Sequence, residues 1–316
     1  MRTLWIPVIY LLFVVGCKGF WEEPRLEGHI AFMMEVEGNH DIYIMEPNGD
    51  NVRRLTDHAA YDMEPALSPD GQKVVFVSDR DKNWDIYMVD VDGSNVTQLT
   101  FSSMANESFE EFSKALDWGT HWSPDGRWIA FQSQRDGNAE IYVMRSDGSN
   151  QKRLTFHPAD DALPTWSPDG TQIGFMSARP SPVDIPVRNF DTYLLDTESG
   201  VVSRVTEYVG LDGPPVWSPD GDLIAIASER EGGQRIFIVD VSSGEWRLLT
   251  EAYDEGNEEF NGELDGEIRE GSESWSPDGN WLVLTYGAKI CTIHKEGHSL
   301  NCIEGISRAA QPDWGP

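Results

Sequence analysis

The sequence predicts an all-β fold, and more narrowly a six-bladed β-propeller with four-stranded blades. Three observations carry that expectation. The tetrapeptide Ser-Pro-Asp-Gly begins at Ser68, Ser123, Ser167, Ser218 and Ser276, and self-similarity at about 50 residues marks a propeller or a related array. A second signal holds one spacing in six copies, an aromatic residue or Cys followed thirteen residues later by Thr or Glu. The third is that the element missing from the first copy reappears at the carboxyl end of the sequence.

Each copy reads as strands A to D, from the axis outward. Strand A ends at Ser-Pro-Asp-Gly, where Asp-Gly signals a tight hairpin, so these aspartates are read as turn formers. Strand B follows as an apolar run: Val74 to Ser78, Ile129 to Ser133, Ile173 to Ser177, Ile224 to Ser228 and Leu282 to Tyr286, with Ile30 to Met34 matching in the first copy. Strand C is marked by Tyr43, Tyr87, Tyr142, Tyr193, Phe237 and Cys291. A glycine comes six residues after the mark in four copies (Gly49, Gly93, Gly148, Gly297) and seven after it in two (Gly200, Gly244). Strand D ends at Thr56, Thr100, Thr155, Thr206, Thr250 and Glu304. The first copy has no Trp-Ser-Pro of its own. Gln311-Pro312-Asp313-Trp314-Gly315-Pro316 resembles that piece, so the carboxy-terminal strand is expected to complete the first blade and remove the open sheet edge.

Composition agrees. The 316 residues include 29 Gly, 18 Pro and 12 Trp, which suits many short strands joined by tight turns. The net charge of −30 excludes nucleic acid, whose phosphates a partner must neutralise, and excludes direct attraction to anionic headgroups. A basic partner, bound cations or solubility remain as its uses.

The amino terminus reads as an address. Arg2 precedes an apolar run of 12 residues, Leu4 to Val15. That is too short to span a bilayer and fits the core of a signal peptide. Val14-Val15-Gly16-Cys17 resembles the bacterial lipobox. The resemblance implies a lipoprotein signal peptide over 1–16, a lipid on Cys17, a tether over 17–28 and the propeller over 29–316. The chain is then exported and anchored at the periplasmic side of a bacterial membrane or at the cell surface, touching membrane only through the lipid on Cys17.

Pro164, Trp166, Ser167, Pro168, Asp169 and Gly170, then Ser177 and Arg179, followed in other copies by Asp-Ile-Tyr and Arg-Leu-Thr, resemble the TolB-type WD-like β-propeller repeat. The resemblance covers residues 29–316. It implies protein or ligand binding on one face, in a chain expected to lack the amino-terminal α/β domain of TolB.

An acid stands five residues before the tryptophan position in five copies: Asp62, Asp117, Asp161, Asp212 and Glu270. Four strand B runs continue into an arginine: Arg80, Arg135, Arg179 and Arg230. Both sets fall at one face, which predicts structural pairs Asp62–Arg80, Asp117–Arg135, Asp161–Arg179 and Asp212–Arg230. The first copy has Ala309 and Val36 there, and the sixth pairs Glu270 with Ala288, so Glu270 is a candidate contact. Trp122, Trp166, Trp217, Trp275 and Trp314, with Leu67 in the remaining copy, read as packing between blades. Cys291 and Cys302 replace two repeat positions eleven apart, and predict a cross-strand disulfide in the sixth blade. Asp79 to Asp85 alternates oxygen-bearing residues as a calcium loop does, without that motif's Gly and distal Glu. A common turn is the competing reading, and no other cofactor is expected.

The long insertions, 101–120, 178–190 and 251–273, share the face of the acid–arginine pairs. They carry Phe109, Phe112, Glu258 and Glu259. His157 and His58 are repeat features two residues after a closing Thr, and His121 precedes Trp122 on an inner strand that approaches the channel. No Gly-x-Ser-x-Gly nucleophile elbow is present. The expected function is a monomeric, non-catalytic scaffold for an envelope protein or a small ligand on the long-loop face. The alternative is a carbohydrate-active or sugar-binding propeller, since the repeat is also similar to that of pectin-fragment lyases. That reading would use His121, His157 and Glu270.

Overall fold

The computed structural model describes residues 26–101, 117–180, 189–207, 210–229, 235–250, 274–286 and 288–316. These form six four-stranded antiparallel sheets, and no helix occurs among the described residues. Blade 1 contains β1 (His29–Val36), β2 (Asn39–Met45) and β3 (Arg53–Arg54). Blade 2 contains β4 (Asp62–Leu67), β5 (Lys73–Ser78), β6 (Asp85–Asp90) and β7 (Thr97–Gln98). Blade 3 runs β8 (Asp117–Trp122), β9 (Trp128–Ser133), β10 (Glu140–Arg145) and β11 (Lys152–Arg153). Blade 4 runs β12 (Asp161–Trp166), β13 (Gln172–Ser177), β14 (Asp191–Asp196) and β15 (Val202–Arg204). In blade 5 come β16 (Val216–Trp217), β17 (Leu223–Ser228), β18 (Arg235–Asp240) and β19 (Trp246–Leu248). Blade 6 holds β20 (Ser274–Trp275), β21 (Trp281–Tyr286), β22 (Lys289–His294) and β23 (Asn301–Cys302). The last strand, β24 (Ala309–Gly315), pairs with β1, so blade 1 has the order β24-β1-β2-β3 and the ring closes on the carboxy-terminal strand.

The repeated tetrapeptide is a hydrogen-bonded turn. In blade 2 the Ser68 hydroxyl donates to Asp70 Oδ1 at 2.6 Å and accepts from the Lys73 amide at 3.0 Å. Asp70 Oδ1 also accepts from the Gln72 amide. Ser123, Ser167, Ser218 and Ser276 repeat the hydroxyl-to-Asp bond. The closing Thr has an equally local reason. Thr56, Thr100, Thr155, Thr206 and Thr250 each accept, through Oγ1, the amide of the second residue of the described strand C or its equivalent. Gly148 stands at φ 82°, where an added Cβ would lie 2.7 Å from the Leu99 carbonyl oxygen, so this turn needs glycine for conformation and for space.

The apolar core lies between blades. Trp122 of blade 3 packs with Ala66, Val75 and Leu99 of blade 2. Trp275 of blade 6 packs with Val216, Ile238 and Leu249 of blade 5. Trp314 joins Ile30 of its own blade to Val283 and Ile303 of blade 6. Cys291 and Cys302 are directly opposed on β22 and β23 and are joined by a disulfide, with Cα atoms 3.9 Å apart.

Candidate functional site

Six inner strands surround the axis, and their side chains and amides tie each blade to the next. The residue before the tryptophan position is Asp313, Ala66, His121, Thr165, Val216 and Ser274 in blades 1 to 6. Asp313 accepts the Leu67 amide of blade 2 at 2.6 Å and the Ser274 hydroxyl of blade 6 at 2.8 Å. The Nδ1 atom of His121 accepts the Trp166 amide of blade 4 at 3.2 Å, and Thr165 donates to the Pro215 carbonyl of blade 5. Where that residue is apolar the indole takes over. Trp122 Nε1 donates to Ala66 O at 3.1 Å, and Trp275 Nε1 donates to Val216 O at 3.0 Å. Where it is His121 or Thr165, the buried indole N–H of the following Trp166 or Trp217 finds no partner among the described residues.

A second ring lies two residues earlier on the same strands. Glu64, Gly119, Leu163 and Gln311 all have positive φ, at register shifts in their strands. These bulges turn the amides toward the preceding blade. Gln311 N–H reaches Thr285 Oγ1, Glu64 N–H reaches Gln311 Oε1, Gly119 N–H reaches Glu64 Oε2, and Leu163 N–H reaches Gln132 Oε1, at 2.8–3.1 Å. Burial holds the His121 imidazole below its ordinary range, with the Asp313 charge pulling the other way. Burial likewise pushes Asp313 up, against the Leu67 amide and the Ser274 hydroxyl.

At the face where strand A begins and strand B ends, Arg80 Nη2 is 3.0 Å from Asp62 Oδ1, Arg135 Nη2 is 2.7 Å from Asp117 Oδ2, and Arg179 Nη2 is 2.8 Å from Asp161 Oδ2. Each guanidinium also lies over a Phe–Tyr pair on strands B and C. Arg230 lies outside the described residues, and Asp212 accepts the Ser228 hydroxyl at 2.5 Å. Sequence reasoning missed a second set of acids, although the Asp-Ile-Tyr of the repeat held the signal. Asp41, Asp85, Glu140 and Asp191 open strand C or lie within it, two residues before the aromatic mark, and all are buried. Arg54, Arg153 and Arg204 reach Asp41, Glu140 and Asp191 at 2.5–2.8 Å. In blades 5 and 6 the same position is Arg235 and Lys289.

His157 belongs to this outer rim. Its amide donates to Glu140 Oε1 at 2.9 Å, and its Nδ1 accepts the Ala159 amide. His58 Nδ1 accepts the Ala60 amide in the same way. His121 and His157 therefore serve different parts of blade 3, one at the axis and one at the rim. Asp79, Asp81 and Asp85 each hold a separate partner: the Tyr61 amide, the Tyr87 hydroxyl and the Thr100 hydroxyl. Among the described residues no three His, Cys, Asp or Glu side chains come together to hold a metal ion. Phe101 and Phe156, each one residue past a closing Thr, are 76% and 74% exposed. Met63, Val77, Trp84, Trp118 and Leu163 form an apolar cluster shared by blades 2 to 4. Cys17, Phe109, Phe112, Glu258, Glu259 and Glu270 lie outside the described residues.

Residues 26–115 and 112–185 match the family described as TolB beta propeller domain. The chain belongs to the TolB beta propeller domain family. Its sequence is similar to a Protein TolB homolog of Chlorobium luteolum, 41% identical over 54 residues, and to the Tol-Pal system protein TolB of Geobacter sulfurreducens, 38% identical over 53. Each alignment covers 17% of this chain and 12% of the relative's length. The fold is similar to the crystal structure of TolB from Acinetobacter baumannii, with a TM-score of 0.72 and 23% identity over 92% of this chain and 67% of that one. It is also similar to an oligogalacturonate lyase in complex with manganese, with a TM-score of 0.56 and 13% identity over 87% of this chain and 73% of that one.

Proposed function

We propose that this TolB-family propeller is a non-catalytic interaction scaffold of the bacterial envelope, anchored through a lipid on Cys17 and engaging an envelope protein with its long-loop face. The observation that carries the reading is the exposure of Phe101 and Phe156 on that face. Large aromatic side chains set in solvent on a rigid scaffold are the residue type that dominates protein interfaces. A relative named for the Tol-Pal system supports an envelope setting.

The test is capture from detergent-solubilised envelopes with the full chain as bait, beside a Phe101→Ser/Phe156→Ser variant and a variant lacking residues 252–272. A protein retained by the full chain and lost with the double variant supports the reading. Equal retention by the full chain and the double variant overturns the aromatic docking site. Labelled fatty acid should enter the wild-type chain in cells and fail to enter Cys17→Ser; equal labelling overturns the anchor.

A further inference from the structure

The seam between blades 3 and 4 is built unlike those between blades 2 and 3 and between blades 5 and 6. At the seams between blades 2 and 3 and between blades 5 and 6, an indole N–H binds a main-chain carbonyl, and neither group titrates. At the 3–4 seam the Trp166 indole N–H is buried without a partner among the described residues, and the main-chain amide of Trp166 is held by the imidazole of His121.

That imidazole has two partners at one nitrogen. His121 Nδ1 lies 3.2 Å from the Trp166 nitrogen on blade 4 and 3.0 Å from the Trp122 carbonyl oxygen on its own strand. An amide can only donate, so Nδ1 must be unprotonated to hold Trp166, with the proton of the neutral ring on Nε2. A carbonyl can only accept, so a proton on Nδ1 directs it to Trp122. One proton therefore exchanges a bond between blades for a bond within blade 3. From these positions we propose that the axial bond of the 3–4 seam is a proton-operated joint, made by neutral His121 and broken by its protonation, while the Leu163–Gln132 bond across the same seam is untouched.

The surroundings of His121 set how the joint responds. Asp313 on β24 is the charge that acts on it, favouring the imidazolium, while burial opposes it. Glu64 on β4 lies one step along the axis and holds the Gly119 amide. The other ionisable groups on the strands packed against β8 are engaged elsewhere. Asp62 on β4 and Asp161 on β12 hold Arg80 and Arg179, Lys73 on β5 holds Asp90 on β6, and Asp85 on β6 takes the Thr100 hydroxyl. On β8 itself Asp117 holds Arg135. Strand β9 contributes no ionisable side chain. Since the folded imidazole titrates below its ordinary value, the bond between blades is fully present above about pH 6.5 and is lost as pH falls through the lower folded value. The same seam reaches the apolar cluster where Trp118 of blade 3 meets Leu163 of blade 4.

Nuclear magnetic resonance of the isotope-labelled full chain from pH 8 to pH 4.5 tests this. Three quantities are followed: the His121 ring, the Trp166 amide shift, and the protection of that amide against hydrogen exchange. The Trp166 shift is expected to move with the His121 titration, and its protection to fall on the order of tenfold, as for the loss of one hydrogen bond. Asp313→Asn is expected to move the His121 midpoint to lower pH. His121→Gln offers an acceptor oxygen at every pH and is expected to abolish the change at Trp166. A Trp166 amide that stays unmoved and protected while His121 titrates overturns the joint, and so does a His121 that stays neutral throughout. The wild-type titration decides alone should either variant fail to fold.

Discussion

Arg80 sets one guanidinium nitrogen 3.0 Å from both carboxylate oxygens of Asp62 and lays the same group 4.6 Å from the centre of the Tyr87 ring. Asp62 is fully buried, and the Arg80 side chain is 14% exposed. Removing one partner strands the other, so Arg80→Ala is expected to cost about 3–5 kcal/mol. The double change Asp62→Ala/Arg80→Met removes the stranded charge and keeps an apolar stem over the rings. It is expected to cost less than Arg80→Ala alone. Denaturant midpoints of the two variants check the order, and a double variant that is the weaker of the two contradicts the account.

The two kinds of seam predict unequal effects of one chemical change. Trp122→Phe removes an indole N–H that holds Ala66 O, and leaves that carbonyl without its donor. Trp166→Phe removes a buried N–H that has no partner among the described residues. Trp122 is buried and Trp166 half-buried, so the packing lost and the bond lost act in the same direction. Trp122→Phe should be the more destabilising by about 1 kcal/mol or more. Trp275→Phe should follow the first and Trp217→Phe the second. Thermal unfolding of the four variants side by side would show the pairing, and equal losses would refute it.

The blades were legible because their signals are local. Ser68, Asp70 and Lys73 form a closed set of bonds within six residues, and Thr56 reaches back only to the hairpin partner of its own strand. Such bonds leave a fixed spacing in the sequence. Closure by residues 309–315 was legible because a missing piece and a spare piece matched. The axis was less open to reading. Leu163 and Gln311 give no hint of positive φ, a conformation β-strand residues avoid. Asp313 and His121 act on strands far apart in sequence, and only the ring brings them into one electrostatic environment. The aromatic pair Phe101 and Phe156 was hidden in plain view, since exposure is set by where strand D ends and not by residue type.

Cys291 and Cys302 are eleven residues apart and face each other across β22 and β23. Closing a loop of that size restricts the unfolded chain by about 3 kcal/mol in the chain-entropy account. A reductant is therefore expected to lower the stability of the wild-type chain by about that amount. It should leave Cys291→Ser/Cys302→Ser unchanged. Unfolding curves with and without reductant make the comparison, and an equal response in both chains would place the effect outside this bond.

Acid should loosen the turns before it reaches most of the core. The Ser68 hydroxyl and the Gln72 amide hold Asp70 below the ordinary carboxylate range. Ser123 does the same for Asp125, and Ser218 for Asp220, each with the help of a main-chain amide. The Thr171 amide, followed by Ser167, lowers Asp169. On the neighbouring hairpin the Ser242 and Ser243 groups bring Asp240 down to about 2. A carboxyl whose folded value lies below its unfolded one gives stability that is complete above the unfolded value, about pH 4. That stability disappears as pH falls through the folded value. The window therefore opens at about pH 4 and runs down through the lowered folded values, reaching about pH 2 for Asp240. Ser68→Ala, Ser123→Ala and Ser218→Ala together should flatten the slope of stability against pH in the acid window and lower the plateau above it. Denaturant titrations from pH 2 to pH 6 read both, and an unchanged acid slope in the triple variant would remove these turns from the account of acid sensitivity.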